Sequence, residues 1–412
     1  MKKYDLVVIG GGAGGLAAAL EAYKSGIKSI LLVEKNDKLG GILNQCIHTG
    51  FGLNEFKEEL TGPEYAERFI KQIKETNIEY RLCTTVTKIN KDYTLELTSI
   101  KGDLKISFKA LVLSTGCYER SAGAISLPGD RVAGIVSAGQ AQAYLNNFGY
   151  LPGKEVFILG SGDVGLIMAR RLTLEGAHVI GVAEIMPYSN GLARNIAQCL
   201  NDFSIPLYLS TTVKSARGKG RLEEITLVSL DEKRKEIPGS EKVIKCDTLL
   251  LSVGLIPLIA LAKPLGIELD NGRIAVYDNL ESSFPGIFVC GNSLHVHDLV
   301  DNVSEEARNA GKEAAKYINS LEENGKVIEI KPSCDFGYIV PKHVRIENEN
   351  KNIILKFRSR NHLSNATVLI KNNGNILFKK FFPFLIPSEM DVFSFNLDHN
   401  IEGNIDIEIL KK

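Results

Sequence analysis

Two glycine-rich segments of this chain have a spacing that could bind phosphate groups. Both follow the pattern G-x-G-x-x-G, with glycines at Gly10, Gly12 and Gly15 in the first and at Gly160, Gly162 and Gly165 in the second. The first glycine of such a pattern allows a tight turn, the second lets a pyrophosphate approach the backbone, and the third lets a helix pack closely on a strand. N–H groups at the start of that helix then bind the phosphates. Both segments are interpreted as dinucleotide-binding loops.

One acidic residue follows each loop at the distance expected for a ribose contact. Glu34 and Glu184 come about 20 residues after their loops, where a carboxylate accepts hydrogen bonds from ribose hydroxyls. A carboxylate repels a 2′-phosphate, and no lysine or arginine follows Glu184 before Arg194, so the second loop favours NADH over NADPH. A turn without a ligand is disfavoured for the first loop. For the second loop, a purely structural nucleotide or no nucleotide remains an alternative.

The apolar runs around each loop predict a strand, a helix and a second strand. Around the first loop these are residues 4–9, 16–24 and 29–33, and around the second they are residues 156–159, 164–175 and 178–183. Each set is about 30 residues long, the size of a βαβ unit. The chain is therefore expected to contain two separate Rossmann-like units.

The pattern changes near residue 331, and no helical period follows. Short apolar runs predict strands at residues 344–346, 353–357, 367–370, 376–382, 392–397 and 405–410. Asn372, Asn373 and Gly374 form a good hairpin turn between two of them. Residues 331–412 are expected to form a small all-β module, for which a sandwich is one form.

Composition and charge exclude several other classes of protein. The 412 residues are 44% hydrophobic and 24% charged, which is ordinary for a globular protein, and 49 basic residues balance 49 acidic ones. This balance gives no reason to expect a nucleic acid partner or an anionic membrane surface. No run reaches the roughly 18 apolar residues of a membrane span. The seven cysteines are scattered and contain no C-x-x-C pair, so a cytoplasmic protein without a zinc site is expected.

Three motifs together resemble the pyridine nucleotide–disulfide oxidoreductase superfamily. The first glycine loop is N-terminal, with Glu34 and Lys35 shortly before Gly41. An apolar strand ends in Ser114, Thr115 and Gly116, where the family has A-T-G. Residues 286–292 resemble its second FAD fingerprint, with Asn292 in place of the usual aspartate. The resemblance covers about residues 1–325.

This resemblance implies an α/β fold in which an NAD(H) domain is inserted into an FAD domain. The implied limits are residues 1–121 with 256–330 for FAD and residues 122–255 for NAD(H), and the strand pattern assigns residues 331–412 to the β module. The expected FAD contacts are Gly10, Gly12, Ala13, Gly14, Gly15, Glu34, Lys35, Gly41, Thr115, Gly116, Gly291 and Asn292. The expected NAD(H) contacts are Gly160, Gly162, Asp163, Val164, Gly165, Glu184 and Gly254. A helix from about Ser304 would direct its N-terminus at the flavin.

The cysteine pair of the disulfide reductases in this superfamily is missing. The region after the first βαβ unit holds only Cys46, with His48 nearby, and the inserted domain has no C-x-x-C. Cys46 and His48 are retained as candidate catalytic residues beside the flavin, and the alternative for both is structural packing. His295 and His297 have the alternation of a metal pair, but no third ligand is evident, so no metal is expected.

A narrower resemblance concerns residues 41–62 and 298–301. These segments are similar to the subfamily that accompanies anaerobic glycerol-3-phosphate dehydrogenases, related to the large subunits of opine, proline and sarcosine oxidoreductases and hydrogen cyanide synthase. It implies a second flavoprotein dehydrogenase subunit as partner, and the oligomeric state stays open. The leading hypothesis is an FAD-dependent NAD(H) oxidoreductase. The alternatives are a non-catalytic assembly subunit that binds nucleotides structurally and a thioredoxin-reductase-like disulfide reductase. The β module could bind the partner or merely stabilise the chain.

Overall fold

The chain folds as two compact units, and one of them interrupts the other. A computed structural model describes residues 1–320, 325–347 and 349–411. One unit consists of residues 1–117 and 257–412, and the other of residues 118–256. The expected fold class, two Rossmann-like domains with the second inserted into the first and an all-β region at the C-terminus, is confirmed.

The first part of the larger unit is a Rossmann-like layer. Its helices are α1 (Ala13–Lys24) and α2 (Gly62–Lys74), with a 3₁₀ turn at Gly41–Gln45. Its strands are β1 (Lys2–Ile9), β2 (Ile30–Val33), β3 (Thr49–Phe51), β4 (Leu60–Thr61), β5 (Glu79–Arg81), β6 (Thr84–Ile89), β7 (Thr94–Ser99), β8 (Gly102–Leu113) and β9 (Cys117–Glu119). Strands β5, β2, β1 and β8 lie side by side in parallel, and β7 and β6 extend the sheet antiparallel from β8. Every residue of β2 is buried, as is typical of a strand inside a parallel sheet.

The inserted unit repeats this architecture with a five-stranded parallel sheet and a three-stranded antiparallel one. Its helices are α3 (Ala138–Phe148), α4 (Asp163–Leu174) and α5 (Ala193–Cys199), with a 3₁₀ turn at Asn201–Phe203. Its strands are β10 (Ile135–Ser137), β11 (Glu155–Leu159), β12 (His178–Ala183), β13 (Leu207–Tyr208), β14 (Thr211–Lys219), β15 (Arg221–Ser229), β16 (Lys242–Lys245) and β17 (Thr248–Leu251), and β18 (Leu255–Pro257) leads out of it. The parallel order is β10-β17-β11-β12-β13.

The chain then completes the first sheet and adds a long helix. These elements are β19 (Leu269–Asp270), β20 (Arg273–Ile274), β21 (Ile287–Val289) and α6 (Val300–Ser320), with 3₁₀ turns at Lys263–Leu265 and Gly291–Ser293. Strand β21 pairs in parallel with β8. Helix α6 begins at Val300, four residues before the expected start. It packs closely on α1, because a Cβ added to Gly311 would lie 2.2 Å from the Ala18 carbonyl oxygen. None of the helices among the described residues is long and apolar enough to cross a bilayer.

The C-terminal region is a sandwich of two sheets around one core. Its strands are β22 (Lys326–Pro332), β23 (Phe336–Val340), β24 (His343–Ile346), β25 (Lys351–Ser359), β26 (Leu363–Asn372), β27 (Asn375–Leu385), β28 (Asp391–Leu397) and β29 (Ile405–Lys411). Buried side chains from both sheets form a shared hydrophobic cluster.

The β module does not stand apart from the larger unit. Strand β22 begins at Lys326, before the expected limit at residue 331. Tyr338 and Val340 of β23 belong to the hydrophobic core of the Rossmann-like layer. These two side chains therefore join the β module to the core of the larger unit.

Candidate functional site

The first glycine loop has the close contacts that its pattern requires. Gly10 has a φ of +107°, and a Cβ there would lie 2.2 Å from the Ser114 carbonyl oxygen. A Cβ on Gly15 would lie 1.7 Å from the Gly10 carbonyl oxygen, and one on Gly14 would lie 2.6 Å from Ser114 Oγ. These three glycines are needed for packing between strand, turn and helix.

Gly12 differs from its neighbours because the space beside it is open. Among the described residues, the nearest atom to a Cβ on Gly12 is the Cα of Gly41, 3.9 Å away. Helix α1 begins at Ala13, and its N-terminus has no side-chain cap. Two glycines thus face each other beside uncapped N–H groups, a cradle that fits a pyrophosphate.

Glu34 is held in place by backbone N–H groups and keeps acceptor capacity. It is 5% exposed, and its two oxygens accept hydrogen bonds from Gly11 N (2.7 Å) and Asn36 N (2.8 Å). A carboxylate offers about four acceptor sites, so roughly two remain for ribose hydroxyls. Lys35, next in the chain, is exposed.

The other expected FAD residues follow the ends of two strands of the same sheet, β8 and β21. The Thr115 hydroxyl donates to the Leu258 carbonyl at 2.7 Å, and Gly116 O accepts from Leu258 N, so both residues fasten the returning chain. Asn292 Oδ1 accepts from His297 N at 3.0 Å. The amide nitrogen of Asn292 is then the group with which this side chain can donate to a ligand hydroxyl.

The second glycine loop repeats the packing of the first. Gly160 has a φ of +98°, and Cβ atoms on Gly160 and Gly165 would lie 2.1 Å from Ser252 O and 2.7 Å from Ser252 Cβ. Gly162 precedes α4 without a side-chain cap. Gly254 has a φ of +105° and accepts a backbone hydrogen bond from Arg120.

Glu184 has fewer acceptor sites left than Glu34. Its Oε2 accepts from both Ser161 N (2.9 Å) and Ser161 Oγ (2.6 Å), and its Oε1 accepts from Met186 N (3.0 Å). Three of about four acceptor positions are thus used within the protein. Ser161 has no counterpart at the first loop, where Gly11 holds the equivalent place.

Asp163 has a structural task that the sequence did not reveal. Its Oδ1 accepts from Leu192 N (2.9 Å) and Asn195 Nδ2 (2.6 Å), and Ser161 Oγ accepts from Asn190 N (2.9 Å). The segment after Glu184 is therefore fastened to the glycine loop. The Asp163 side chain holds this segment, which leaves its backbone N–H for a phosphate. Val164, the next residue of α4, is half-buried.

Cys46 and His48 have surroundings that favour structural roles. Burial raises the pKa of the Cys46 thiol to about 12, so the thiol is neutral at physiological pH. Its Sγ lies 3.3 Å from the Ile42 carbonyl oxygen. The half-buried His48 ring packs against Phe51 with 5.1 Å between centroids.

A buried polar cluster that sequence reasoning missed surrounds Glu306 of α6. Its Oε2 lies 2.6 Å from Lys356 Nζ, 2.9 Å from His295 Nε2 and 3.4 Å from His297 Nε2. Although burial opposes it, these three groups hold the pKa of Glu306 well below its usual range. Burial lowers the pKa of His295 to about 4, so its ring is neutral. The cluster is named the Glu306 cluster below.

Beside His295 and His297 lies a third potential metal ligand, Glu306, which the sequence did not identify. The Lys356 ammonium already supplies a positive charge to the same carboxylate oxygen. A divalent cation there would leave a large uncompensated positive charge in a buried place. The arrangement is therefore that of an ion pair between Lys356 and Glu306, with the neutral His295 ring beside it. A carboxylate two turns into an otherwise amphipathic helix was the available signal in the sequence.

These two loops and their carboxylates match a known family. The family model for pyridine nucleotide-disulphide oxidoreductases matches residues 4–362. The chain belongs to this family. Its cofactors are accordingly FAD and a nicotinamide nucleotide.

Individual members of the family show similarity at low identity. Hydrogen cyanide synthase subunit HcnB of Pseudomonas aeruginosa is 26% identical over 313 residues, 69% of this chain and 65% of that protein. The chain therefore spans about two thirds of that relative's length. Thioredoxin reductase of Listeria innocua is 23% identical over 330 residues, 78% of this chain and 96% of that protein. The crystal structure of T. acidophilum thioredoxin reductase superposes with a TM-score of 0.64 at 21% identity, covering 78% of this chain and all of that one.

Proposed function

We propose that this oxidoreductase passes electrons between NAD(H) and a second protein, with FAD bound at the first glycine loop and NAD(H) at the second. When bound, the two cofactors supply hydride chemistry between nicotinamide C4 and flavin N5. The observation that carries the proposal is the presence of two glycine loops, each with its own buried carboxylate at hydrogen-bond distance: Glu34 on Gly11 and Glu184 on Ser161. The chain's own residues bind and orient the two nucleotides.

The state of the cysteines argues against thiol–disulfide chemistry. Thiol–disulfide exchange needs a thiolate, whereas burial keeps the Cys46 thiol neutral with a pKa of about 12. None of the seven cysteines, all of them among the described residues, forms a disulfide bond, and no other cysteine lies near Cys46 in the chain. Electrons would therefore leave towards a partner rather than towards an internal disulfide.

The partner is proposed to be a second flavoprotein, a dehydrogenase subunit that oxidises the substrate. Support comes from residues 41–62 and 298–301, which are similar to the subfamily accompanying anaerobic glycerol-3-phosphate dehydrogenases. The P. aeruginosa relative is itself named as a subunit. A glycerol-3-phosphate dehydrogenase type of complex follows as the proposed assembly.

A second candidate is a non-catalytic subunit that holds a nucleotide structurally. It is favoured by the Ser161 hydroxyl, which occupies an acceptor position of Glu184. It is also favoured by the hydrogen bond that Asp163 accepts from Leu192 N, which fastens the segment after Glu184 to the glycine loop. Both features reduce what the second loop offers to a ribose.

An anaerobic titration distinguishes these functions. The FAD-reconstituted protein is titrated with NADH and then NADPH while the visible flavin absorption is followed. We expect NADH to bleach the band, with NADPH less effective because Glu184 repels a 2′-phosphate. In the Cys46→Ser variant NADH should bleach the flavin band to the same extent. The number of titratable thiols in the wild-type protein should not rise on reduction. Absence of bleaching by either nucleotide would replace the proposal with the assembly role, and a gain of two thiols would establish disulfide reduction.

A further inference from the structure

The Glu306 cluster holds the backbone of the second FAD fingerprint. Glu306 Oε1 accepts from the Gly291 N–H at 2.8 Å, while its other oxygen faces the cluster. Gly291 has a φ of +65° and leads directly into Asn292. Asn292 is tied in turn to the backbone of His297. The conformation of the fingerprint therefore depends on where the Glu306 carboxylate lies.

Glu306 is stable in this place only because a cation reaches it. The residue is 1% exposed, and a buried carboxylate without a partner is costly by several kcal/mol. Lys356 of β25 provides the charge, with its Nζ 2.6 Å from Oε2. The Nε2 atoms of His295 and His297 lie 2.9 Å and 3.4 Å from the same oxygen. The His295 ring is neutral because burial lowers its pKa to about 4.

Two more residues of the β module reach the segment between the fingerprint and α6. The Tyr338 hydroxyl lies 3.3 Å from His295 Nδ1 and accepts from Arg358 Nε at 3.2 Å. Arg358 Nη2 donates to the Val296 carbonyl at 3.1 Å and is ion-paired with Asp298. The module thus contacts this segment through a cation, a hydroxyl and a guanidinium.

We propose that Lys356 is a positioning residue for FAD. Acting through Glu306, it holds the Gly291 N–H and the Asn292 side chain where the cofactor needs them. The β module is then an integral part of the flavin site rather than a separable appendage. This inference rests on FAD binding at the first glycine loop, as in the proposed function, and does not depend on what the second loop binds.

The test compares FAD affinity in four variants of the full chain. Lys356→Met leaves Glu306 without its cation, and we expect the FAD dissociation constant to rise by about tenfold or more, with a shifted visible flavin spectrum. In the double variant E306Q/K356M the glutamine oxygen still accepts from Gly291 without a buried charge, so affinity should return to within about threefold. Lys356→Arg should keep affinity because it keeps the cation.

Lys351→Met is the matched control. Lys351 lies on the same strand and is also ion-paired with a carboxylate, that of Asp278, whereas the Gly291 N–H is held by Glu306. It should lower thermal stability without changing FAD affinity or spectrum. A merely structural Lys356 would behave in the same way, and unchanged FAD affinity in K356M would overturn the proposal. So would a loss that the double variant fails to restore.

If K356M does not fold, a second pair of variants decides. E306Q/K356M keeps an acceptor for the Gly291 N–H, whereas E306A/K356M removes it, and both lack the buried charges. The proposal expects FAD affinity to be kept in the first and lost in the second. Equal affinities would contradict it. Wild-type protein that binds no FAD would instead reject the function on which the inference rests.

Discussion

At the residue scale, the glycines of the first loop serve two different purposes. Gly10, Gly14 and Gly15 lie so close to backbone or side-chain atoms that a Cβ cannot be accommodated. Gly12 instead borders open space in front of the α1 N-terminus. The same residue type is thus required by packing at three positions, and we propose that the ligand requires it at the fourth.

This difference predicts opposite results for two alanine substitutions. Gly15→Ala should destabilise the FAD-free protein by about 1–3 kcal/mol, because its Cβ would overlap the Gly10 carbonyl. Gly12→Ala should leave the stability of the FAD-free protein unchanged but weaken FAD binding by about tenfold, because its Cβ enters the pyrophosphate space. Thermal unfolding without FAD and fluorescence titration with FAD measure the two effects. A Gly12→Ala protein with normal FAD affinity would show that the phosphates lie elsewhere.

Ser161 is the residue that makes the second carboxylate unlike the first. Its hydroxyl donates to Glu184 Oε2 and accepts from Asn190 N. Ser161→Ala should free an acceptor position and tighten NADH binding by about fivefold, the effect of one hydrogen bond. Calorimetric titration of the FAD-loaded protein measures this, with Ser240→Ala in a hairpin of the same unit as control. Equal or weaker binding would mean that the hydroxyl does not compete with the ribose.

At the element scale, α6 and β25 matter through what they bring together. Helix α6 starts beside the FAD fingerprint and contributes Glu306, and β25 contributes Lys356 and Arg358. Both elements follow ordinary local patterns, an amphipathic helix and an alternating strand. The strand face that carries these two cations cannot be distinguished from a solvated face in the sequence.

An aspartate on strand β28 should make the stability of the protein depend on pH. Burial, with Glu389 nearby, raises the pKa of Asp391 from 3.8 to about 6. The folded state therefore holds this proton more tightly than the unfolded state, and the associated stability is present at low pH and lost as pH rises through about 6. Asp391→Asn stays neutral throughout, so its stability relative to wild type should increase between about pH 4 and about pH 8. Chemical unfolding at several pH values tests this, with the exposed Asp406→Asn as control, and a gap that stays constant would refute it.

At the scale of the whole molecule, two βαβ-based units share one chain by insertion. Each contains a glycine loop, a buried carboxylate and a set of parallel strands, one of which leads into the loop. The β module completes the larger unit because Tyr338 and Val340 belong to its core. A module joined through a core is expected to act with the flavin site, which agrees with the proposed role of Lys356.

The insertion was implied by the resemblance to a known family, whereas the residues themselves indicated the two glycine loops and the all-β region. Those features depend on local patterns: a turn that only glycine permits, an apolar run that ends in a carboxylate, and alternation along strands. All six strands expected after residue 331 are present. Strands β22 and β23 were missed: β22 carries three charged residues and ends at Pro332, and Gly337 interrupts the apolar run of β23.

Only the tertiary structure decided which polar groups are already used. Lys356 and Glu306 are 50 residues apart, and Asp163 and Asn195 are 32 apart, so no local spacing connects them. Burial decided the state of Cys46, whose thiol has a raised pKa because packing removes it from water. Long-range contacts and desolvation depend on how the elements pack, and a linear pattern of residue types does not contain that information.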